Sequence, residues 1–221
     1  MRWAIVRRTI PRDVESVIEI GAGLGSMGRL LAGRYDYLGL EPDETAYRVA
    51  VERTAGRVRK TTAEEFTGTA DLICAFEVIE HIEDDSAALA SWRRLSRRWL
   101  MLSTPADPQR YGPWDELAGH FRRYTVESLT AALEAAGWQA RLVRRYGFPI
   151  GDWLDDGRQA IAARRNKEYE QQGQTASSAR QLQYPVALAP VTWIASAPAR
   201  LLQAPFPGRG HGLIALAELA P

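Results

Sequence analysis

The chain has 221 residues, of which 46% are hydrophobic and 25% are charged, and this composition excludes disordered, collagen-like and coiled-coil proteins. Its 28 basic and 27 acidic side chains leave a net charge of +1, which excludes an overall electrostatic attraction to nucleic acid or acidic membranes. The single cysteine, Cys74, excludes an internal disulfide and is typical of a reducing compartment, so we expect a cytoplasmic protein.

The first recognisable elements are a strand, a glycine-rich loop and a helix. Residues 16–20 are rich in β-branched side chains and predict a strand, and residues 21–25 contain three glycines. The helix that follows is predicted to place Met27, Leu30 and Leu31 on its inner face.

Strands and helices continue to alternate along the chain. Asp43 and Thr125 are predicted helix N-caps, and Gly137 is a predicted helix C-cap. Further strands are predicted at residues 37–40, 57–60, 71–76, 99–103, 139–146 and 211–217, and further helices after residue 43, at 85–95 and at 126–136. This alternation predicts an α/β fold with one doubly wound, mostly parallel sheet.

Two long segments interrupt the alternation. Residues 104–124 form a long connection, and residues 147–209 form an insertion before the last strand. We expect a single domain over residues 1–221, with 147–209 as a helical insertion or lid within it. Three prolines break the uncharged run at 181–199, and residues 1–8 lack the apolar stretch of a signal peptide, so we expect no stable membrane insertion.

The glycine loop and an acidic residue after the second strand indicate a cofactor that contains a nucleoside. A glycine-rich turn between a strand and a helix lets the backbone approach a ligand closely. Glu41 follows Gly21 by twenty residues, the spacing at which a carboxylate accepts hydrogen bonds from both hydroxyls of a ribose.

Two cofactors fit this pattern. Gly23, Gly25 and Gly28 match the dinucleotide fingerprint G-x-G-x-x-G, which favours NAD(P) and an oxidoreductase. Glu19, two residues before the first glycine, opposes that interpretation, because its carboxylate would repel a pyrophosphate. The same carboxylate favours S-adenosylmethionine, whose methionine end carries an ammonium and a sulfonium. The chain is also short for a dehydrogenase, which needs a further catalytic domain.

Three ordered motifs resemble those of the class I S-adenosylmethionine-dependent methyltransferases. They are Glu19-Ile-Gly-Ala-Gly-Leu-Gly25, Gly39-Leu-Glu41-Pro-Asp43 and Phe76-Glu-Val-Ile-Glu-His81. The closest resemblance is to the small-molecule subgroup that includes the ubiquinone-pathway O-methyltransferases. It implies a seven-stranded sheet of order 3-2-1-4-5-7-6 with strand 7 antiparallel, and a methyl transfer to a small-molecule, lipid-linked or sugar-linked acceptor, with oxygen as the expected target. A non-catalytic binding protein with the same fold remains an alternative.

The resemblance also implies roles for individual residues. The cofactor-binding residues it indicates are Glu19, Gly21, Ala22, Gly23 and Gly25 around the methionine moiety, Glu41 and Pro42 at the ribose, Ala63 and Glu64 at the adenine, and Phe76 and Glu77 beside the cofactor. Thr62 departs from the family, which often has aspartate at that position.

His120 and His81 are the candidate catalytic residues. His120 ends the long connection and is placed to deprotonate an acceptor, while Arg122 or Arg123 would bind an anionic group on it. His81 follows Glu77 and Glu80 in a spacing that resembles a divalent-metal site in some family members. Because the same pattern is widespread in metal-free relatives, we expect no metal.

The expected partner is a small-molecule acceptor. Nucleic-acid amino-methyltransferases carry an Asn/Asp-Pro-Pro-aromatic run after the fourth strand, whereas this chain has the sequence Phe-Glu-Val-Ile at 76–79. We therefore expect no nucleic-acid substrate, and a monomer or a homodimer.

Overall fold

The computed structural model describes residues 2–171 and 208–220. Seven strands of this part of the chain form one sheet, in the order β3-β2-β1-β4-β5-β7-β6. The strands are β1 (Ser16–Ile20), β2 (Asp36–Leu40), β3 (Val58–Arg59), β4 (Ala70–Phe76), β5 (Ser96–Pro105), β6 (Trp138–Tyr146) and β7 (Gly212–Leu219). The order confirms the predicted fold class.

Helices cover the sheet. They are α1 (Arg2–Thr9), α2 (Gly28–Ala32), α3 (Glu44–Arg53), α4 (Asp85–Trp92), α5 (Pro113–Ala118), α6 (Val126–Ala135) and α7 (Ile150–Gln171), with short 3₁₀ turns at Ile79–His81, Arg93–Leu95 and Pro108–Arg110. The predicted caps are confirmed at both N-termini: the side chain of Asp43 accepts a hydrogen bond from the Ala46 amide, and that of Thr125 accepts one from Ser128.

The pairing of the strands places the loops that carry the motifs at one edge of the sheet. β1 is parallel to both β2 and β4, and β4 is parallel to β5. β7 is antiparallel to β5 and to β6. In a doubly wound sheet, ligands bind beyond the carboxyl ends of the parallel strands. The glycine loop, Glu41 and Glu77 all follow such ends.

The hydrophobic core lies on both faces of the sheet. Ile73 belongs to the cluster on one face, and Leu72 and Cys74 belong to the cluster on the other. All three are fully buried in β4 at the centre of the sheet. This burial on two faces explains why the sequence of β4 is a continuous apolar run rather than an alternating one.

One prediction about helix orientation was wrong. Leu31 is fully buried in α2 and Met27 is partly buried, but Leu30 is exposed. Successive residues of a helix point about 100° apart, so two neighbouring leucines in this five-residue helix cannot both face the sheet.

Other differences concern the extent of elements. β5 continues to Pro105, and the connection that follows contains α5, which the sequence did not predict. The sequence also did not predict α1, whose Val6 is fully buried against the sheet. The predicted helix over 85–95 ends earlier, at Trp92, and continues as a 3₁₀ turn.

The insertion over 147–209 begins with α7, which extends to Gln171. The rest of the insertion, including the uncharged run at 181–199, lies outside the described residues apart from its last two positions. None of the described helices is both long enough and apolar enough to cross a membrane.

Candidate active site

The glycine loop after β1 combines a tight backbone with open space. Gly21, Gly23 and Gly25 all have positive φ, at 67°, 53° and 73°. A Cβ on Gly25 would lie 2.9 Å from the Cα of Ala50, so α3 packs directly against the loop. A Cβ on Gly23 would meet no atom within 4 Å. The loop is therefore packed against α3 on one side and open for a ligand at Gly23. Pro42, which follows Glu41 after β2, is exposed.

Glu41 fastens the glycine loop to the end of β2. Its Oε2 accepts a hydrogen bond of 2.7 Å from the Gly23 amide, and its Oε1 accepts one of 2.9 Å from the Asp43 amide. The side chain is buried. A carboxylate has about four acceptor positions, so two remain for the hydroxyls of a ribose.

Glu19 lies beneath the loop rather than in open space. It is 2% exposed, and its Oε2 accepts a hydrogen bond of 2.7 Å from the Tyr37 hydroxyl. A Cβ on Gly28 would lie 3.2 Å from the same oxygen, which places the carboxyl under the start of α2. Burial raises the pKa of Glu19 to about 8, against the opposing effect of the bond from Tyr37.

This raised pKa predicts a pH-dependent stability. Between the ordinary value of 4.5 and about 8, the folded protein holds a proton on Glu19 that the unfolded chain releases. The free energy of unfolding should therefore fall as pH rises through this interval, by up to about 1.4 kcal/mol per pH unit, and level off above it. Denaturant unfolding of the wild type and of Glu19→Gln between pH 5 and pH 9 measures the effect. The variant should lose this slope; an identical slope in both proteins would contradict the assignment.

The segment that matches the adenine contact is held by an arginine that the sequence analysis missed. Ala63 is buried and Glu64 is exposed. The Arg94 guanidinium donates to the carbonyl oxygens of Ala63, Glu64 and Phe66, with a distance of 2.9 Å to that of Glu64. Arg94 comes from the 3₁₀ turn before β5, and nothing in its local sequence indicates this contact.

Glu77 follows β4 in an unusual backbone conformation. Its φ of 58° is rare for a residue with a side chain, and such strain often occurs at functional sites. Its Oε1 accepts a hydrogen bond of 2.9 Å from the Ser103 hydroxyl and lies 3.0 Å from the Arg2 guanidinium. Phe76, directly before it, is buried in the core. α1 therefore supplies a charged partner for Glu77 through Arg2.

His120 is held by a buried carboxylate. Its Nδ1 lies 2.8 Å from Oδ1 of Asp115, which is fully buried in α5. Burial alone would raise the pKa of Asp115, but hydrogen bonds from His120, Arg123 and Gln159 hold it well below its ordinary value. An ionised Asp115 favours the tautomer with its proton on Nδ1, so the lone pair of the neutral imidazole lies on Nε2.

A carboxylate and two imidazoles come together at this point. Glu80, His81 and His120 each offer a ligand atom, and these atoms lie within 4.8 Å of one another. Glu80 is fully buried, and neither of its oxygens has a hydrogen-bond partner in the described part of the chain. Burial, with a smaller contribution from Glu77, raises the pKa of Glu80 well above its ordinary value. One carboxylate and two imidazoles are a ligand set that divalent transition metals accept, so these residues fit a cation.

A cavity of about 290 Å³ lies beside these groups. Both candidate histidines line it, together with Glu77 of the cofactor side. Its lining residues are Arg2, Glu77, His81, Pro105, Trp114, Ala118, His120, Arg123, Asp155, Arg158 and His211. The cavity thus joins the loop after β4 to α5 and α7, and its size suits a small molecule.

The expectation that Arg122 or Arg123 binds an anionic group on the acceptor needs correction. Arg122 pairs with Asp85 at 2.7 Å, and Arg123 is 4% exposed and bonded to both Asp115 and Asp155. Neither guanidinium is free to bind an anionic acceptor, because carboxylates of the protein already hold it. The sequence analysis did not identify Asp115 as a site residue. Pro113 followed by Asp115 in the first turn is a helix-start signal, which could have predicted α5 but not the contact of Asp115 with His120.

The sequence belongs to the methyltransferase domain family, which matches residues 4–143. The protein is therefore a methyltransferase, and this membership favours S-adenosylmethionine over the NAD(P) that the glycine pattern left open. No curated protein matches the chain.

Several solved structures of methyltransferases have the same fold as this chain. An S-adenosylmethionine-dependent methyltransferase from Mesorhizobium loti is 16% identical with a TM-score of 0.62, over 98% of this chain and 97% of that chain. A putative methyltransferase from Bacillus halodurans C-125 is 15% identical with a TM-score of 0.63, over 99% and 98%. Phosphoethanolamine N-methyltransferase 2 of Haemonchus contortus, in complex with S-adenosyl-L-methionine, is 16% identical with a TM-score of 0.58, over 99% and 52%. These likenesses concern the fold.

Proposed function

We propose that the protein transfers the methyl group of S-adenosylmethionine to an oxygen atom of a small-molecule acceptor bound in the cavity. The observation that carries this proposal is the buried pair of Asp115 and His120, which leaves an unprotonated nitrogen of His120 for the acceptor. A hydroxyl acceptor needs such a base, because its proton must leave as the new bond forms. The resemblance to the ubiquinone-pathway O-methyltransferases also supports oxygen as the target.

The proposed reaction is an in-line displacement. The acceptor hydroxyl gives its proton to Nε2 of His120, and the oxygen forms a bond to the methyl carbon. The electrons of the carbon–sulfur bond pass to the sulfonium sulfur, so that the products are a methyl ether and S-adenosylhomocysteine. Glu41 and the glycine loop hold the donor, and alignment of the two substrates supplies a large part of the rate, about 7–11 kcal/mol of barrier.

A second arrangement uses the same residues to hold a divalent cation. The orphaned carboxylate of Glu80 favours it, and Glu80, His81 and His120 would be the ligands. A cation bound there would lower the pKa of an acceptor hydroxyl as a Lewis acid. In that arrangement Asp115 fixes the orientation of the His120 ring, as second-layer carboxylates do in metal sites.

A screen of matched acceptors tests the choice of oxygen. Purified protein is incubated with S-adenosylmethionine and with aromatic acceptors that differ only in carrying a hydroxyl, an amino or a methoxy group, and release of S-adenosylhomocysteine is measured. We expect turnover with hydroxyl compounds and none with their methoxy counterparts. Turnover restricted to amines would contradict the proposal. The reaction of an active acceptor is then repeated after chelation and after adding back Mg²⁺, Mn²⁺ or Zn²⁺. Activity that survives chelation supports His120 as the general base, and activity that is lost and then restored by a metal supports the bound cation.

We propose that residues 1–221 are one domain, in which α7, the described helix of the insertion over 147–209, covers the acceptor cavity. The fully buried thiol of Cys74 and the absence of any other cysteine support a cytoplasmic location, and we propose a monomer or homodimer.

A further inference from the structure

Three arginine side chains line the cavity, and they differ in whether a carboxylate of the protein pairs with them. Arg2 lies 3.0 Å from Glu77. Arg123 is bonded to two carboxylates, at 2.8 Å to Asp115 and 3.0 Å to Asp155. Each of these two guanidiniums therefore has an anionic partner supplied by the protein. Arg158 also lines the cavity, and among the described residues it makes neither an ion pair nor a hydrogen bond.

The position of Arg158 is fixed by its helix. Ala162 of α7 packs against Leu117 of α5. Gln159, next to Arg158, accepts a hydrogen bond of 2.9 Å from the Trp114 amide and donates one of 2.8 Å to Asp115. These contacts hold α7 against the element that carries the candidate base. Asp155 lies three residues before Arg158 and so on the same side of the helix, facing the same cavity.

The surroundings make an unpaired guanidinium unfavourable. Arg158 is half-buried, so water hydrates its charge incompletely. His211 is its neighbour in the cavity, and burial together with the charge of Arg158 lowers the pKa of His211 to about 4. His211 is therefore neutral at neutral pH and adds no charge of its own. The planar guanidinium group pairs best with a carboxylate or a phosphate, which accept two parallel hydrogen bonds.

We propose that Arg158 binds an anionic group, a carboxylate or a phosphate, on the methyl acceptor. This inference rests on the proposed function, because it assigns the cavity to the acceptor. It adds a substrate class: a small molecule that carries an acceptor hydroxyl at one end, beside His120, and an anionic group at the other, beside Arg158. The anionic group would pair with Arg158, as carboxylates of the protein already pair with Arg2 and Arg123.

Binding of matched probes tests this proposal without turnover. Benzoate, phenyl phosphate and the neutral benzamide are titrated by calorimetry or NMR into protein saturated with S-adenosylhomocysteine. We expect at least one of the two anions to bind the wild type about 10- to 100-fold more tightly than benzamide, and the tighter anion identifies the group. Arg158→Gln should remove this preference and leave benzamide binding unchanged.

Two further variants provide the controls. Arg164→Gln removes an exposed arginine of the same helix and should behave as the wild type. Arg158→Lys keeps the charge and should retain part of the preference, even if the glutamine variant is unstable. Equal affinity of the wild type for all three probes, or an equal loss of all three in Arg158→Gln, would overturn the proposal. Failure of the proposed function shows separately, as methylation of amines only or as a protein that does not bind S-adenosylhomocysteine.

Discussion

Replacing Glu41 with alanine is expected to weaken the binding of S-adenosylhomocysteine by about 10²–10⁴-fold. The carboxylate is proposed to accept hydrogen bonds from both ribose hydroxyls, each worth about 1.5–3 kcal/mol because the acceptor is charged. It also accepts the Gly23 amide at 2.7 Å, so its removal releases the loop that faces the donor. Isothermal titration of the variant and the wild type gives the ratio of dissociation constants directly.

Glu44 offers a matched control for this prediction. It lies three residues further along the chain, is exposed, and pairs with Arg48 and Lys60 on the surface. Glu44→Ala should bind S-adenosylhomocysteine as the wild type does, since surface ion pairs contribute little. If Glu41→Ala also retained wild-type affinity, the ribose assignment would be refuted.

Replacing His120 with asparagine is expected to lower kcat by about 10²–10⁴-fold, the usual contribution of a general base, while S-adenosylhomocysteine binds as before. Asp115→Asn should also lower kcat, because an amide no longer fixes the proton on Nδ1 of His120. Single-turnover kinetics with a hydroxyl acceptor, together with titration of the product, separates the chemical step from binding.

The neighbouring Glu116 controls for damage to α5. It is exposed, and Glu116→Gln removes a charge from the same helix without touching His120. It should leave kcat unchanged, and thermal unfolding should show all three variants to be folded. Wild-type turnover in His120→Asn would exclude both roles proposed for this histidine.

The sequence predicted the sheet, and it assigned candidate cofactor-binding residues, because both depend mainly on short-range patterns. The apolar run of β4 and the glycines of the loop each occupy a few neighbouring residues and have a strong burial or backbone requirement. Glu41 follows Gly21 at a fixed spacing of twenty residues, which the sequence also shows directly. The helix caps at Asp43 and Thr125 follow the same rule, since a cap is a contact between residues three apart.

The acceptor half was harder to predict because it is assembled from distant segments. Arg2, His120 and Arg158 line one cavity from the first helix, the middle of the chain and the insertion. Their pairing decides their roles, and pairing is a tertiary property. Arg123, one of the two arginines expected to bind an anionic group on the acceptor, is held by Asp115 and also by Asp155, which is 32 residues away. Leu30 was misplaced for a local reason, because a five-residue helix leaves too little periodicity to assign its inner face.

We propose that the glycine loop, Glu41 and the histidine-lined cavity form a single site in which donor and acceptor meet. A crystal structure of the complex with S-adenosylhomocysteine tests it most directly. We predict that the ribose hydroxyls lie within hydrogen-bond distance of the Glu41 carboxylate and that the sulfur faces the cavity between Glu77 and His120. A product that binds away from Glu41, or whose sulfur faces away from His120, would contradict this account.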